Sequence, residues 1–153
     1  MKTKTYIKSA GYGATKHGES NDCTVRAMAN SSGMDYDSVH YVLKKNGRKD
    51  NKGVRYDVIM PSMKELGFQF VGVFGKTRAA KCGIDHAAKY FDVVEGSQNK
   101  PITLGNLVKS LPFGKFVVII KGHAIALVDG NLIDTFNNSS QSQVAMLFQY
   151  GEM

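Results

Sequence analysis

Residues 115–136 read KFVVIIKGHAIALVDGNLIDTF, and the fold is decided here. Lys115–Lys121 is an apolar run flanked by lysines, the pattern of a buried strand. Gly122 interrupts it. His123–Asp129 reads as a second strand, Gly130-Asn131 as a turn, and Leu132–Phe136 as a third strand running back. Val144–Tyr150 supplies a fourth. Short strands joined by tight turns make an antiparallel sheet. The first half of the chain has helical periodicity instead. Cys23–Ser32 suits a helix with Asp22 as N-cap, Gly33 beyond its end, and Val25, Met28 and Ala29 on the core face. A second helix runs from about Asp35 to Lys45, capped by Asp35, striped by Val39, Val42 and Leu43, and ended by Asn46-Gly47. Residues 57–66 read as a third, stopped by Gly67, with Pro61 moving its regular start toward Pro61. Phe68–Phe74 alternates like a strand. Thr103 caps a short helix carrying Leu104, Leu107, Val108 and Leu111, stopped by Pro112 and Gly114. Residues 75–100 show no clear pattern, and 1–18 read as an irregular arm. Helices early and strands late make a single α+β domain over 1–153.

Composition excludes several classes. Hydrophobic residues at 42% and charged residues at 22% over 153 residues fit a chain with a real core, not a disordered one. The longest apolar run, Phe116–Ile120, is far short of the roughly 20 residues that span a bilayer. The start, Met1-Lys2-Thr3-Lys4-Thr5-Tyr6, carries lysines without an apolar stretch behind them, so we expect no signal peptide, no membrane partner and a cytoplasmic protein. Two cysteines, Cys23 and Cys82, make no disulfide framework. The four histidines and two cysteines show no ligand spacing, and Gly11-Tyr12-Gly13 lacks the context of a phosphate loop, so neither metal nor cofactor is expected.

The net charge is +7. Much of it lies in 44–55, KKNGRKDNKGVR. This is either a solvated mobile loop or an electrostatic footprint for an acidic substrate or partner. No zinc-finger, homeodomain or RNA-recognition pattern accompanies it. Nucleic acid is therefore a possible partner through 44–55 but not the favoured one.

Three residues carry chemistry. Cys23 sits at a helix start, where unpaired N–H groups and the helix dipole favour a thiolate; by position alone it also suits a small buried hydrophobe. His123 follows Gly122 and opens an apolar strand, so it faces a cleft or is a satisfied half-buried ring. His40 reads as a helix-surface residue, and His17 and His86 lack a comparable setting. Asp134 is a carboxylate in an otherwise apolar strand, either exposed at an edge or buried and paired. About the Gly130-Asn131 turn, Asp134 does not fall opposite His123, so a bulge or a longer strand is needed to join them. Together the three make a nucleophile, its base and the acid that orients the base.

The segment Glu19-Ser20-Asn21-Asp22-Cys23-Thr24-Val25-Arg26-Ala27 resembles a motif of small papain-like cysteine peptidases, many of them encoded by bacteriophages. So does Gly122-His123-Ala124-Ile125-Ala126-Leu127-Val128-Asp129-Gly130, with Ile133-Asp134-Thr135 behind it. The resemblance covers roughly residues 19–136. It implies N-terminal helices bearing the Cys packed on a C-terminal antiparallel sheet bearing the His, with the active cleft between. Cys23 is then nucleophile, His123 acid–base and Asp134 orienting group. Papain-type enzymes place a Gln six residues before the nucleophile, where this chain has His17. Asn21 is the nearest side-chain amide and the preferred oxyanion donor beside the Cys23 N–H, although it also suits a turn. Glu19, which as an anion cannot donate to an oxyanion, is expected to take a structural role or to contact Arg26. The activity implied is cleavage of a peptide or isopeptide bond in a host or phage protein. The alternatives are a silent papain-like module that binds a host protein, and a basic nucleic-acid-binding protein.

Overall fold

A computed structural model describes residues 5–8, 22–49, 52–93, 98–134 and 138–151. In chain order it comprises β1 (Thr5–Lys8), α1 (Cys23–Ser32), α2 (Tyr36–Lys45), α3 (Tyr56–Glu65), β2 (Phe68–Phe74), α4 (Arg78–Ala87), β3 (Gln98–Asn99), α5 (Leu104–Ser110), β4 (Lys115–Ile120), β5 (His123–Val128), β6 (Asn131–Asp134) and β7 (Val144–Tyr150). The architecture is α+β. One seven-stranded sheet has the order β1-β6-β5-β4-β7-β2-β3.

The five central strands are antiparallel, as expected, but the sheet is mixed. β1 runs parallel to β6 at one edge and β3 parallel to β2 at the other. The first of these corrects the reading of 1–18 as an irregular arm, since Thr5–Lys8 pairs with Asn131–Asp134. In β4, Val117 and Ile119 join the core formed with α1 to α4, while Phe116, Val118 and Ile120 join a second core under α5. Burial on both faces explains why KFVVII is continuously apolar and does not alternate.

Helix ends follow local chemistry. Gly33 closes α1 at φ +78°, its N–H donating to Ala29 O at 3.0 Å. Asp35 caps α2 by accepting from Ser38 N at 2.7 Å, and Thr103 caps α5 by accepting from Asn106 N at 3.3 Å. In the segment without a clear pattern, Thr77 caps α4. α3 differs from expectation: it starts at Tyr56, and Pro61 lies inside it. An interior proline costs about 3 kcal/mol. Val58, Ile59, Met60 and Met63 are all buried on this helix, and each is worth roughly 1.5–3 kcal/mol. Packing therefore outweighs the missing hydrogen bond.

The β5–β6 connection decides the site. Val128 pairs with Asn131, so the turn is Asp129-Gly130 and not Gly130-Asn131. Both turn residues have positive φ, +48° and +81°, the signature of a two-residue Asp-Gly hairpin. Asp129 Oδ1 also accepts from Gly114 N at 3.0 Å, which ties the turn to the start of β4. An alanine Cβ at 130 would meet Pro112 O at 3.5 Å, an ordinary contact, so its penalty is conformational. We predict that Gly130→Ala costs about 1–2 kcal/mol by urea denaturation. An unchanged midpoint would show that the left-handed backbone is not needed there.

Candidate active site

Cys23 is the first residue of α1 and half-buried. The first backbone bond of this helix is Arg26 N to Asp22 O, at 2.9 Å, so the N–H groups of Cys23, Thr24 and Val25 have no helical partner. Asp22 stands at the N-cap position but its side chain does not cap the helix, contrary to expectation. Its carboxylate accepts from the Tyr36 hydroxyl at 2.7 Å and faces Arg26 Nε at 3.0 Å. No capping carboxylate thus occupies the N–H groups of this helix start, where the Cys23 sulfur lies.

His123 opens β5 immediately after the Lys121-Gly122 turn, where Gly122 has φ +68°. Its Nε2 lies 2.5 Å from Asp134 Oδ2. The imidazole also interacts with the Cys23 thiol, and each group shifts the other's titration. The observed register explains the contact with Asp134. Ala126 pairs with Ile133, so Asp134 falls opposite Ile125, two residues along from His123 on the same side of the ribbon. Such diagonal neighbours are within reach of long side chains. No bulge or longer strand is needed.

Asp134 is 4% exposed. Oδ2 also accepts from Asn138 Nδ2 at 2.7 Å, and Oδ1 faces Arg26 Nη1 at 3.8 Å. Arg26, itself 8% exposed, therefore stands between two buried carboxylates, Asp22 and Asp134. Burying a carboxylate is costly unless it is paired and hydrogen-bonded, and both of these have such partners.

This setting moves both reacting groups. Burial pushes the Cys23 thiol up, but His123, the Ala124 N–H and Thr24 together bring it below its ordinary value. Burial pushes the His123 imidazole down, but its hydrogen bonds to Asp134 and Cys23 and their charges lift it to about 9. Both shifts favour transfer of the thiol proton to the imidazole.

The pair lies in a cleft of about 680 Å³. Ile119, Ile120 and Ala124 form one side of it, and Val54, Tyr56 and Ile59 another. The basic stretch is thus not wholly a solvated loop. Lys44 and Lys45 end α2, Arg48 is 4% exposed, and Gly53–Arg55 reach the cleft.

The structure brings Cys23, His123 and Asp134 together. Asn21, Glu19 and His17 lie outside the described residues. Arg26, which was expected to meet Glu19, has Asp22 and Asp134 as partners. His40 is 6% exposed and stacks on Tyr36, correcting its assignment to a helix surface. His86 lines the cleft, and Cys82 is exposed. Asp22, Arg26, Tyr36 and Asn138 were missed as support for the site. The i,i+4 spacing of Asp22 and Arg26 was readable; nothing local marks Asn138. Among the described residues no His, Cys, Asp and Glu cluster suits a metal, and no helix is long and apolar enough to cross a membrane.

The chain matches no family model, no curated protein and no solved structure.

Cys23 and Cys82 separate reactivity from access. Iodoacetamide at pH 6 should modify half-buried Cys23 before exposed Cys82, read by peptide mass mapping. Faster modification of Cys82 would mean that exposure governs and the thiolate assignment is wrong. Arg26→Met should cost about 3–5 kcal/mol in urea, because two buried carboxylates lose their shared cation. A loss under about 1 kcal/mol would show that the network is not needed for folding.

Proposed function

We propose that the protein is a papain-like thiol hydrolase acting on a peptide or isopeptide bond. The observation that carries this reading is the continuous contact Cys23–His123–Asp134, with the thiol lowered and the imidazole raised to about 9. Cys23 Sγ attacks the carbonyl carbon and the carbonyl π pair moves to oxygen. The Cys23 N–H at the helix start, with Asn21 as the candidate side-chain amide, receives the oxyanion. The imidazolium of His123 gives its proton to the leaving amine as the C–N bond breaks. A thioester remains. Neutral His123 then takes a proton from water, whose oxygen attacks the thioester, and Cys23 leaves as thiolate. Asp134 holds the ring with its hydrogen-bonding nitrogen toward the sulfur. The phage resemblance adds a host or phage protein as the substrate class.

The experiment uses a peptide p-nitroanilide, whose leaving amine must be protonated, read as release of p-nitroaniline under kcat/KM conditions. Turnover requires a deprotonated Cys23 and a protonated His123. It should rise with pH through the lowered thiol pKa and fall as His123 loses its proton near 9. Alkylation needs the thiolate alone, so it should rise with the same limb and stay high above 9. His123→Ala removes the partner that offsets burial, moving the alkylation limb up to or beyond the free thiol value of ~8.5. Turnover should drop by about 10²–10⁴ in Cys23→Ala and His123→Ala, and by less in Asp134→Ala. Asp134→Asn should fall between Asp134→Ala and wild type. Wild-type alkylation across all pH values in a folded His123→Ala variant would refute the pairing.

A further inference from the structure

The basic stretch borders a second pocket, on the other side of Gly53–Arg55 from the cleft of Cys23. Arg48, Lys49 and Lys52 border a pocket of about 210 Å³ that shares Gly53, Val54 and Arg55 with the cleft of Cys23 and His123. No acidic side chain lines it among the described residues.

Three hydrogen bonds tie the described residues of this stretch to one another and to the fold. Arg48 N donates to Leu43 O at 2.9 Å, fastening the segment to the end of α2. Lys52 N donates to Lys49 O at 3.2 Å, and the buried Arg48 Nε donates to Lys52 O at 3.1 Å. Gly47, at φ +119°, lies so close to α3 that a Cβ there would sit 3.4 Å from Val58 Cγ2. The Lys49 and Lys52 side chains are both exposed, so their charges project from a fastened backbone. Arg55 is already engaged: it makes a bidentate pair with Asp57 at 3.1 and 3.2 Å. The available positive charge is therefore concentrated at Lys49 and Lys52.

The two compartments differ in chemistry. The cleft of the sulfur is lined largely by apolar side chains, among them Val54, Ile59, Ile119 and Ile120, with Asp57 and His86 among its further polar groups. Beyond Gly53–Arg55 the lining is cationic. A peptide that fills both carries an apolar side chain near the reacting carbonyl and a carboxylate a short distance along the chain. We infer that this pocket is a substrate subsite for acidic side chains, so that the preferred substrate is an acidic peptide segment with an apolar residue beside the scissile bond. The substrate class rests on the thiol-hydrolase reading above; the binding site does not. A pocket this small suits one or two carboxylates. A nucleic-acid strand would need a run of phosphate contacts and stacking faces along its path, so the acidic peptide is favoured.

The test uses the Cys23→Ala protein, so binding is measured without reaction. The probe is a fluorescein-labelled hexapeptide amide with one leucine and two adjacent glutamates, compared with its glutamine counterpart by fluorescence anisotropy. The glutamate peptide should bind at least about fivefold tighter in low salt, with the margin shrinking as screening rises. Lys49→Gln/Lys52→Gln should erase the preference and Lys49→Glu/Lys52→Glu should invert it. Both positions are exposed, and circular dichroism checks the fold of each variant. Three results overturn the inference: equal affinity or no binding of the two peptides up to about 1 mM; a preference that survives in both variants; or tighter binding of a short oligothymidylate that is lost in the same variants, which would make this a nucleic-acid surface. Failure of the hydrolase reading appears elsewhere, in the pH profile of Cys23 alkylation, so the two failures are distinguishable.

Discussion

The arrangement depends on how Asp134 is satisfied. A carboxylate that is 4% exposed has lost nearly all its water and must recover the lost solvation from protein groups. Among the described residues three side chains supply it, each from a different part of the chain. His123 comes from β5, Asn138 from the segment before β7, and Arg26 from α1. Arg26 is also the residue that binds Asp22, which in turn holds Tyr36 of α2. The requirement of one buried anion therefore docks two helices against the sheet. Because Cys23 and Arg26 share the first turn of α1, the contact that anchors the helix also sets where the sulfur meets His123.

Much of this was legible from residue types and little of it from counting. The apolar strands, the caps at Asp35 and Thr103, and the Cys, His and Asp themselves stood out. Their contact did not, because of a single position in a turn. With Gly130-Asn131 as the turn, Asp134 falls opposite Leu127. With Asp129-Gly130 it falls opposite Ile125, because shifting a two-residue turn by one moves every partner by two. The Asp-Gly pair is itself the stronger hairpin signal, since both of its residues tolerate positive φ. Asp129 was read instead as the last residue of a strand.

Other features were hidden because tertiary contacts override local preference. Asp22 has the residue type of a helix cap, yet the buried Tyr36 hydroxyl and Arg26 claim its oxygens. His40 is polar on an amphipathic helix, yet it lies beneath the ring of Tyr36. Pro61 argued for a late helix start, yet the apolar face of α3 carries it. α4 was obscured partly by Gly83, which weakens a helical pattern. A Cβ there would lie 2.4 Å from Met146 Cε, so any larger residue must displace the Met146 side chain of β7. Such constraints come from residues more than sixty positions away and leave no local trace.

Placement also explains how the sulfur escapes the usual consequence of burial. A half-buried thiol in an apolar wall is normally less acidic and inert. Here the apolar wall is interrupted where the charge must sit. The closing pair of the β4–β5 hairpin is Ile120 and His123, so the alternation of the ladder turns the Ala124 N–H away from β4. That N–H reaches the sulfur beside His123 and Thr24. One donor thus comes from the sheet backbone, one from the imidazole and one from the helix start. The apolar side chains of the same cleft exclude water without removing these donors, and lower local screening strengthens each of them. The reactive pair and the apolar compartment are therefore two results of one geometry, a helix N-terminus set against the end of a hairpin.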